Sequence, residues 1–125
     1  MLLAYWQIGK MIDEKQGGES KAKFGDGLIK ELSVQMTKDF GGGFDERNLR
    51  YFRSFYLGFP IWNAVRSDLS WTHYRRILRV ENKDARNFYI NEAIEGRWSS
   101  RQLEREINSF SYQRYLSIKE ILWII

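Results

Sequence analysis

Cysteine is absent from all 125 residues, which excludes disulfides and thiolate metal sites and is compatible with a reducing compartment. Histidine occurs once, as His73. A lone imidazole cannot build a histidine-rich metal site, and its place beside Tyr74 suits packing or a surface role, so no metal and no cofactor is expected. Proline also occurs once, as Pro60. It has no amide donor and disfavours helical geometry in the residue before it, so it marks the end of a helix. No stretch approaches the roughly twenty consecutive apolar residues that span a bilayer. The opening Met1 to Trp6 has neither a basic region nor a cleavage pattern. The expectation is a cytoplasmic protein without a membrane partner.

What the chain does hold is apolar and aromatic material in quantity. Hydrophobic residues make up 43% and aromatic residues 16% of the sequence, enough for a core in a chain whose length suggests one domain. Twenty basic residues against sixteen acidic ones leave a net charge of +4, with a pI near 9.4. This mild excess favours polyanionic partners. Its distribution is uneven: from Arg47 to Arg86 there are nine Lys or Arg but three acids, Asp68, Glu81 and Asp84.

The periodicity is helical throughout, with short breaks. A first helix is predicted over Leu2 to Gln16, with Leu2, Tyr5, Ile8, Gly9 and Ile12 on one stripe and Gly17-Gly18 as its stop. A second spans Gly25 to Phe40, placing Leu28, Leu32, Met36 and Phe40 on one line widened by Ile29. The turn Gly41-Gly42-Gly43-Phe44 follows. Asp45 is a plausible N-cap for a third helix to Phe59, and Glu46 suits its positive end. In that helix Leu49, Phe52, Phe55, Tyr56 and Phe59 gather on one side, while Arg47, Arg50 and Ser54 gather on the other, flanked by Tyr51 and Arg53.

Two helices joined by a tight turn, the second apolar on one face and arginine-bearing on the other, form a candidate helix-turn-helix. Such a recognition helix buries one side and presents long donors to base edges and phosphates on the other. The same pattern also serves any small helical bundle, in which the arginines are simply solvated. The stretch Ile61 to Leu69 reads as a loop or a brief helical turn. Ser70 can then cap a helix over Trp71 to Val80, with Trp71, Tyr74, Ile77 and Leu78 inward and Arg75, Arg76 and Arg79 outward as a second basic surface.

A further helix is predicted over Asp84 to Glu95, burying Ala85, Phe88, Tyr89 and Ala93 or Ile94 and stopping at Gly96. Ser99-Ser100-Arg101-Gln102 fits a capping box that opens a last helix, with Leu103, Ile107 and Phe110 along its buried stripe. Residues 118–125 form an apolar tail, set apart from a helical domain over 1–117, that is expected to need a partner or further chain to cover it.

No catalytic constellation emerges. Asp13-Glu14-Lys15 and Glu81-Asn82-Lys83 contain an acid-x-lysine pattern, but each falls on or beside a predicted helix. Glu104 and Glu106 lie on different faces beside Arg101 and Arg105, which suits solvated pairs. The glycine clusters lack the lysine and the preceding strand of a phosphate loop.

Six separated blocks resemble the N-terminal domain of YhcG-type proteins. They are Tyr5-Trp6-Gln7-Ile8-Gly9-Lys10; Phe24-Gly25 with Leu28 and Leu32-Ser33; and Phe44 with Arg47-Asn48-Leu49. The others are Phe55-Tyr56 with Phe59-Pro60; Leu69-Ser70-Trp71 with His73-Tyr74; and Trp98-Ser99 with Arg101, Leu103 and Ile107. The resemblance implies a helix-turn-helix or winged-helix-like domain, usually followed in bacterial members by a PD-(D/E)xK nuclease domain. It also implies further helix ahead of Leu2, and it fades after about Tyr115, so the nuclease region is expected to be absent here.

The resulting expectation is a mostly α domain with a helix-turn-helix or winged-helix-like core. It would bind DNA through Arg47, Arg50, Tyr51, Arg53, Ser54, Arg75, Arg76 and Arg79, and target a nuclease domain or subunit while not being an enzyme itself. RNA is a second possible polymer. The competing expectation is a protein-interaction or oligomerisation module without nucleic-acid binding, using the aromatic surface and the apolar tail.

Overall fold

The computed structural model describes residues 1–16 and 22–124. Among them are seven helices, a single 3-10 turn at Trp62–Ala64 and no strand. The all-α expectation therefore holds, and the strands of a wing are not present among these residues. The helices are α1 (Leu2–Gln16), α2 (Ala22–Phe40), α3 (Glu46–Gly58), α4 (Trp71–Ile77), α5 (Lys83–Glu95), α6 (Ser100–Asn108) and α7 (Ser111–Ile124). Where length alone suggests one domain, the chain gathers into two compact units, Met1–Arg66 and Ser67–Ile125.

In the first unit the main packing is α3 along α1, with α2 making the smaller contact with each. Helix α1, and not the helix that precedes α3 in the candidate helix-turn-helix, is therefore its principal brace. The reason lies at Gly9: a Cβ built there would sit 1.9 Å from the Phe52 carbonyl oxygen, so only a glycine lets the two backbones meet. Around this crossing Tyr5 stacks on Phe52 with centroids 4.4 Å apart and planes within 7°. Trp6, outside the predicted stripe, is buried, with its indole N–H donating to the Phe59 carbonyl at 2.7 Å. Leu49, Phe52, Phe55 and Phe59 are buried as the periodicity predicts.

Helix α2 begins three residues before the predicted Gly25 and ends at Phe40 as expected. Of its apolar line only Ile29 is buried; Leu28, Leu32 and Met36 are half-buried and Phe40 is 69% exposed. A groove of about 370 Å³ remains between α1 and α2, lined by Ile8, Met11, Leu28, Leu32 and Met36 among others. The turn after α2 uses Gly41 and Gly43 at φ 85° and 98°, where side chains are strained. The predicted Gly17-Gly18 stop lies outside the described residues, as does Ile125 at the end of the tail.

The second unit is held by caps read correctly from sequence and by one that was not. Ser99 and Gln102 form the expected capping box of α6, with Ser99 N–H donating to Gln102 Oε1 at 2.8 Å and Gln102 N–H to Ser99 Oγ at 3.1 Å. Ser70 caps α4, but its reciprocal partner is His73: Ser70 N–H donates to Nδ1 at 3.2 Å. With Nδ1 accepting, Nε2 carries the proton and donates to the Trp98 carbonyl at 2.8 Å, tying α4 to the connection before α6. Helix α4 stops at Ile77, not Val80. Asn82 caps α5, which begins at Lys83, one residue ahead of the predicted start.

At the end of α5, Gly96 is the C-cap as expected, yet the left-handed residue is its neighbour Arg97, at φ 52°. The single last helix of the sequence reading is two. Phe110, at φ 60°, breaks it between α6 and α7, and its ring is 63% exposed rather than on the buried stripe that Leu103 anchors. The segment set apart as a tail continues α7 to Ile124.

Candidate nucleic-acid interface

Helix α3 divides its side chains cleanly. The buried row of Leu49, Phe52 and Phe55 holds one side against α1, and this leaves Arg47, Arg50 and Ser54 exposed on the other. The N-terminus is fixed by Asp45, whose Oδ1 accepts from Asn48 N–H at 2.8 Å, while Asn48 Nδ2 donates back to the Gly43 carbonyl at 3.2 Å. These two bonds set the entry angle of the helix after the glycine turn. With the Asp45 carboxylate on the Asn48 amide and Glu46 beside it, this end of α3 is disfavoured for an anion.

The flanking pair behaves differently from the outward pair. Arg47 lies over the Tyr51 ring at 5.8 Å, a cation–π contact that leaves its guanidinium at the surface. Arg53 instead turns back to α1, where its Nε and Nη2 donate to one carboxylate oxygen of Asp13 at 3.3 and 3.2 Å. Both side chains are about one quarter to one third exposed, at 30% and 24%. Arg53 is thus occupied in bracing α3, and Asp13, which the sequence offered only as part of an acid-x-lysine pattern, is its partner 40 residues away. Nothing in the local sequence marks that pairing.

The second basic group lies in the other unit and is partly neutralised there. Arg76 donates through Nε to the Ser100 carbonyl at 3.2 Å and places Nη2 3.4 Å from Glu104. Arg79, beyond the end of α4, places Nη1 3.3 Å from the same carboxylate. Arg75 is half-buried. Glu104, expected to be a solvated partner of neighbouring arginines on its own helix, instead joins α6 to α4. Of the eight residues singled out from sequence, Arg47, Arg50, Tyr51 and Ser54 share the outward side of α3.

The remaining acid-x-lysine pattern, Glu81-Asn82-Lys83, lies at the start of α5, where Asn82 Oδ1 accepts from Ala85 N–H at 2.9 Å. Among the described residues no helix is long and apolar enough to cross a membrane.

Comparison with known proteins places this geometry in a family. The Escherichia coli (strain K12) protein named "Putative nuclease YhcG" is 36% identical over 149 residues, a match that covers 93% of this chain and 40% of that protein. The chain therefore spans about two fifths of the length of this relative. No solved structure matches it. The DUF1016 N-terminal domain family matches residues 1–114, nearly the whole described chain, and the chain belongs to that family as a YhcG-type N-terminal domain.

Proposed function

We propose that this chain is a DNA-binding helix-turn-helix module, with α2 and α3 as its two helices and the outward face of α3 as its contact surface, and that it targets a nuclease domain or subunit instead of cutting DNA itself. The observation that carries this reading is the segregation of α3: three large apolar residues buried on one side, Arg47 and Arg50 exposed on the other. Arginine suits both parts of the task, because its fork donates to phosphate oxygens and to guanine edges alike. Ser54 supplies a shorter donor one turn on, and Tyr51 supports Arg47 from beneath.

The role of Arg53 in this mechanism is positional, since its guanidinium is engaged by Asp13. Arg75, Arg76 and Arg79 give the second unit positive charge of its own, offset for the last two by the shared Glu104. The name of the relative is consistent with nuclease-associated DNA targeting, and that association is part of the proposal. The proposed setting is the cytoplasm.

The test is fluorescence anisotropy of the chain with duplex DNA, single-stranded DNA and duplex RNA at two salt concentrations, beside the Arg47→Ala/Arg50→Ala double variant. Duplex-DNA affinity should fall steeply with salt, and the double variant should lower the slope of log K against log salt by about two units if each arginine meets one phosphate. Retention of wild-type affinity by a folded double variant would remove α3 as the contact surface. Preferential binding of duplex RNA would move the proposal to that polymer.

A second reading rests on α7. Ile118, Ile121, Leu122, Trp123 and Ile124 are all exposed, and Trp123 is 82% so. An apolar surface of this kind favours a protein-interaction or oligomerisation role. It predicts self-association or partner binding that salt hardly weakens and that survives the loss of Arg47 and Arg50.

A further inference from the structure

The second unit contains a cleft that the α3 reading does not use. It has a volume of about 500 Å³ and lies where the start of α5, the end of α6 and the start of α7 meet. That volume lies in the ordinary range for small-molecule sites, about 300–1,000 Å³. Arg79, Glu81, Asn82, Tyr89, Phe110 and Gln113 are among the side chains that line it.

Three features give the cleft a chemical character. First, Tyr89 is 2% exposed and its hydroxyl oxygen accepts from Tyr112 N–H at 3.1 Å, which leaves the hydroxyl proton to donate at the cleft wall. A tyrosine hydroxyl on a cleft wall can donate to an acceptor bound there. Second, Asn82 spends its oxygen on the cap of α5, which leaves its amide N–H groups as donors on a lining that also includes Glu81. Third, Phe110 is held at φ 60°, in the left-handed region, with an exposed ring on the cleft. Its own N–H and C=O are engaged by Ile107 and Arg114, which holds the backbone in that conformation.

We propose that this cleft binds a mononucleotide, with the base stacked on Phe110, its polar edge turned toward Tyr89, Asn82 and Glu81, and its phosphate toward Arg79. An aromatic face at the opening supplies stacking that any base can use. The neighbouring donors and single carboxylate distinguish among bases. Guanine is the best complement, because its edge places an acceptor, O6, beside adjacent N–H donors that a carboxylate can take. The Arg79 guanidinium shares Glu104 through one nitrogen and has further donors for a phosphate oxygen. By contrast, the groove between α1 and α2 is apolar apart from Lys15 and selects no ligand in this way.

Isothermal titration of the full chain with GMP, AMP, CMP, UMP and guanosine tests the assignment. GMP should bind saturably and more tightly than the other three nucleotides, and more tightly than guanosine. The sharpest variant is Phe110→Gly, which removes the ring and relaxes the left-handed backbone: its thermal midpoint should hold or rise, while its Kd for GMP rises about tenfold or more. Arg79→Ala should abolish the advantage of GMP over guanosine and leave guanosine binding in place. A four-nucleotide single strand ending in guanosine, run in parallel, separates free nucleotide from a strand end by which of the two binds more tightly.

Absence of saturable GMP binding at millimolar concentration would overturn the proposal. So would unchanged GMP affinity in Phe110→Gly, or loss of GMP binding in the Arg47→Ala/Arg50→Ala variant, which would move the nucleotide to α3. Failure of the chain to bind duplex DNA would not touch this site, so the two readings fail separately.

Discussion

Helices α3 and α7 are almost equal in length, 13 and 14 residues, and opposite in design. Along α3 the apolar residues recur every three or four positions, so one side is sealed against α1 and the other carries arginine, serine and tyrosine. Along the latter half of α7 the apolar residues are Ile118, Ile121, Leu122, Trp123 and Ile124, distributed around the whole circumference, and none is buried. A segregated helix can satisfy both water and core within its own unit. A helix that is apolar all round can be satisfied only by cover on more than one side, which its own unit does not supply. The difference separates a surface suited to a polyanion from one suited to protein, and it underlies the two readings of function.

The largest expected effect tests the buried side of α3. Phe52→Ala should destabilise the chain by about 3–5 kcal/mol, because the ring is 1% exposed and stacked on Tyr5, and its removal leaves a cavity in the crossing. Arg50→Ala, on the opposite side, should change stability by no more than about 0.5 kcal/mol. Equal losses in urea denaturation would erase the two-sided character of the helix.

Next in size is Gly9→Ala. The added methyl meets backbone, not a movable side chain, so α1 and α3 must separate, at a cost of about 2–3 kcal/mol. Thermal melting of this variant checks whether α1 is the brace. An unchanged midpoint would return that role to α2.

Smaller still is the cost of Asp13→Ala, about 1 kcal/mol or less, since the pair with Arg53 is partly open to solvent and screened. Its value is diagnostic. If Arg53 positions α3, the variant should also weaken duplex binding modestly, whereas an Arg53 that touched DNA directly would bind more readily once released from Asp13.

The smallest stability effect is expected on α7. Replacing Ile121 and Trp123 together by lysine should shift stability by about 0.5 kcal/mol or less, because both side chains are exposed. Light scattering should nevertheless show less association with rising concentration. Marked unfolding by these substitutions would mean that α7 contributes to its own unit, and the contrast with α3 would fail.

Much of this architecture is legible without coordinates. The caps at Asp45, Ser70 and Ser99 follow from short side-chain oxygens placed just before helical periodicity, and local rules suffice for them. The two faces of α3 follow from spacing alone. Trp6 was missed because it falls off the stripe drawn through Leu2, Tyr5 and Ile8, and it is buried by Tyr56, Trp62 and the Phe59 carbonyl, all distant in sequence. Phe110 was misplaced because it continues the period of Leu103 and Ile107, and periodicity cannot show that a helix breaks where a residue takes a left-handed conformation.

The candidate interface divides in the same way. Arg47, Arg50 and Ser54 were placed on the outward side of α3 by helical geometry, and they are there. Arg53 was drawn with them because a helical wheel puts it at the border, and a border residue is decided by what stands next to it. Here that is Asp13. Arg76 and Arg79 likewise meet Glu104, a residue of another helix.

By itself the sequence determined the helical class, the positions of most caps and turns, the family, and the separation of α3 into an apolar and an arginine-bearing side, because each depends on residues within a few positions of one another. The tertiary structure alone decided that α1 is the main brace of α3, which arginines are spent on carboxylates, and that Tyr89, Asn82 and Phe110 share one cleft. Those outcomes depend on distances between residues 20 to 40 positions apart, such as Arg53 to Asp13 and Tyr112 to Tyr89, and on a backbone approach at Gly9 that no local pattern encodes.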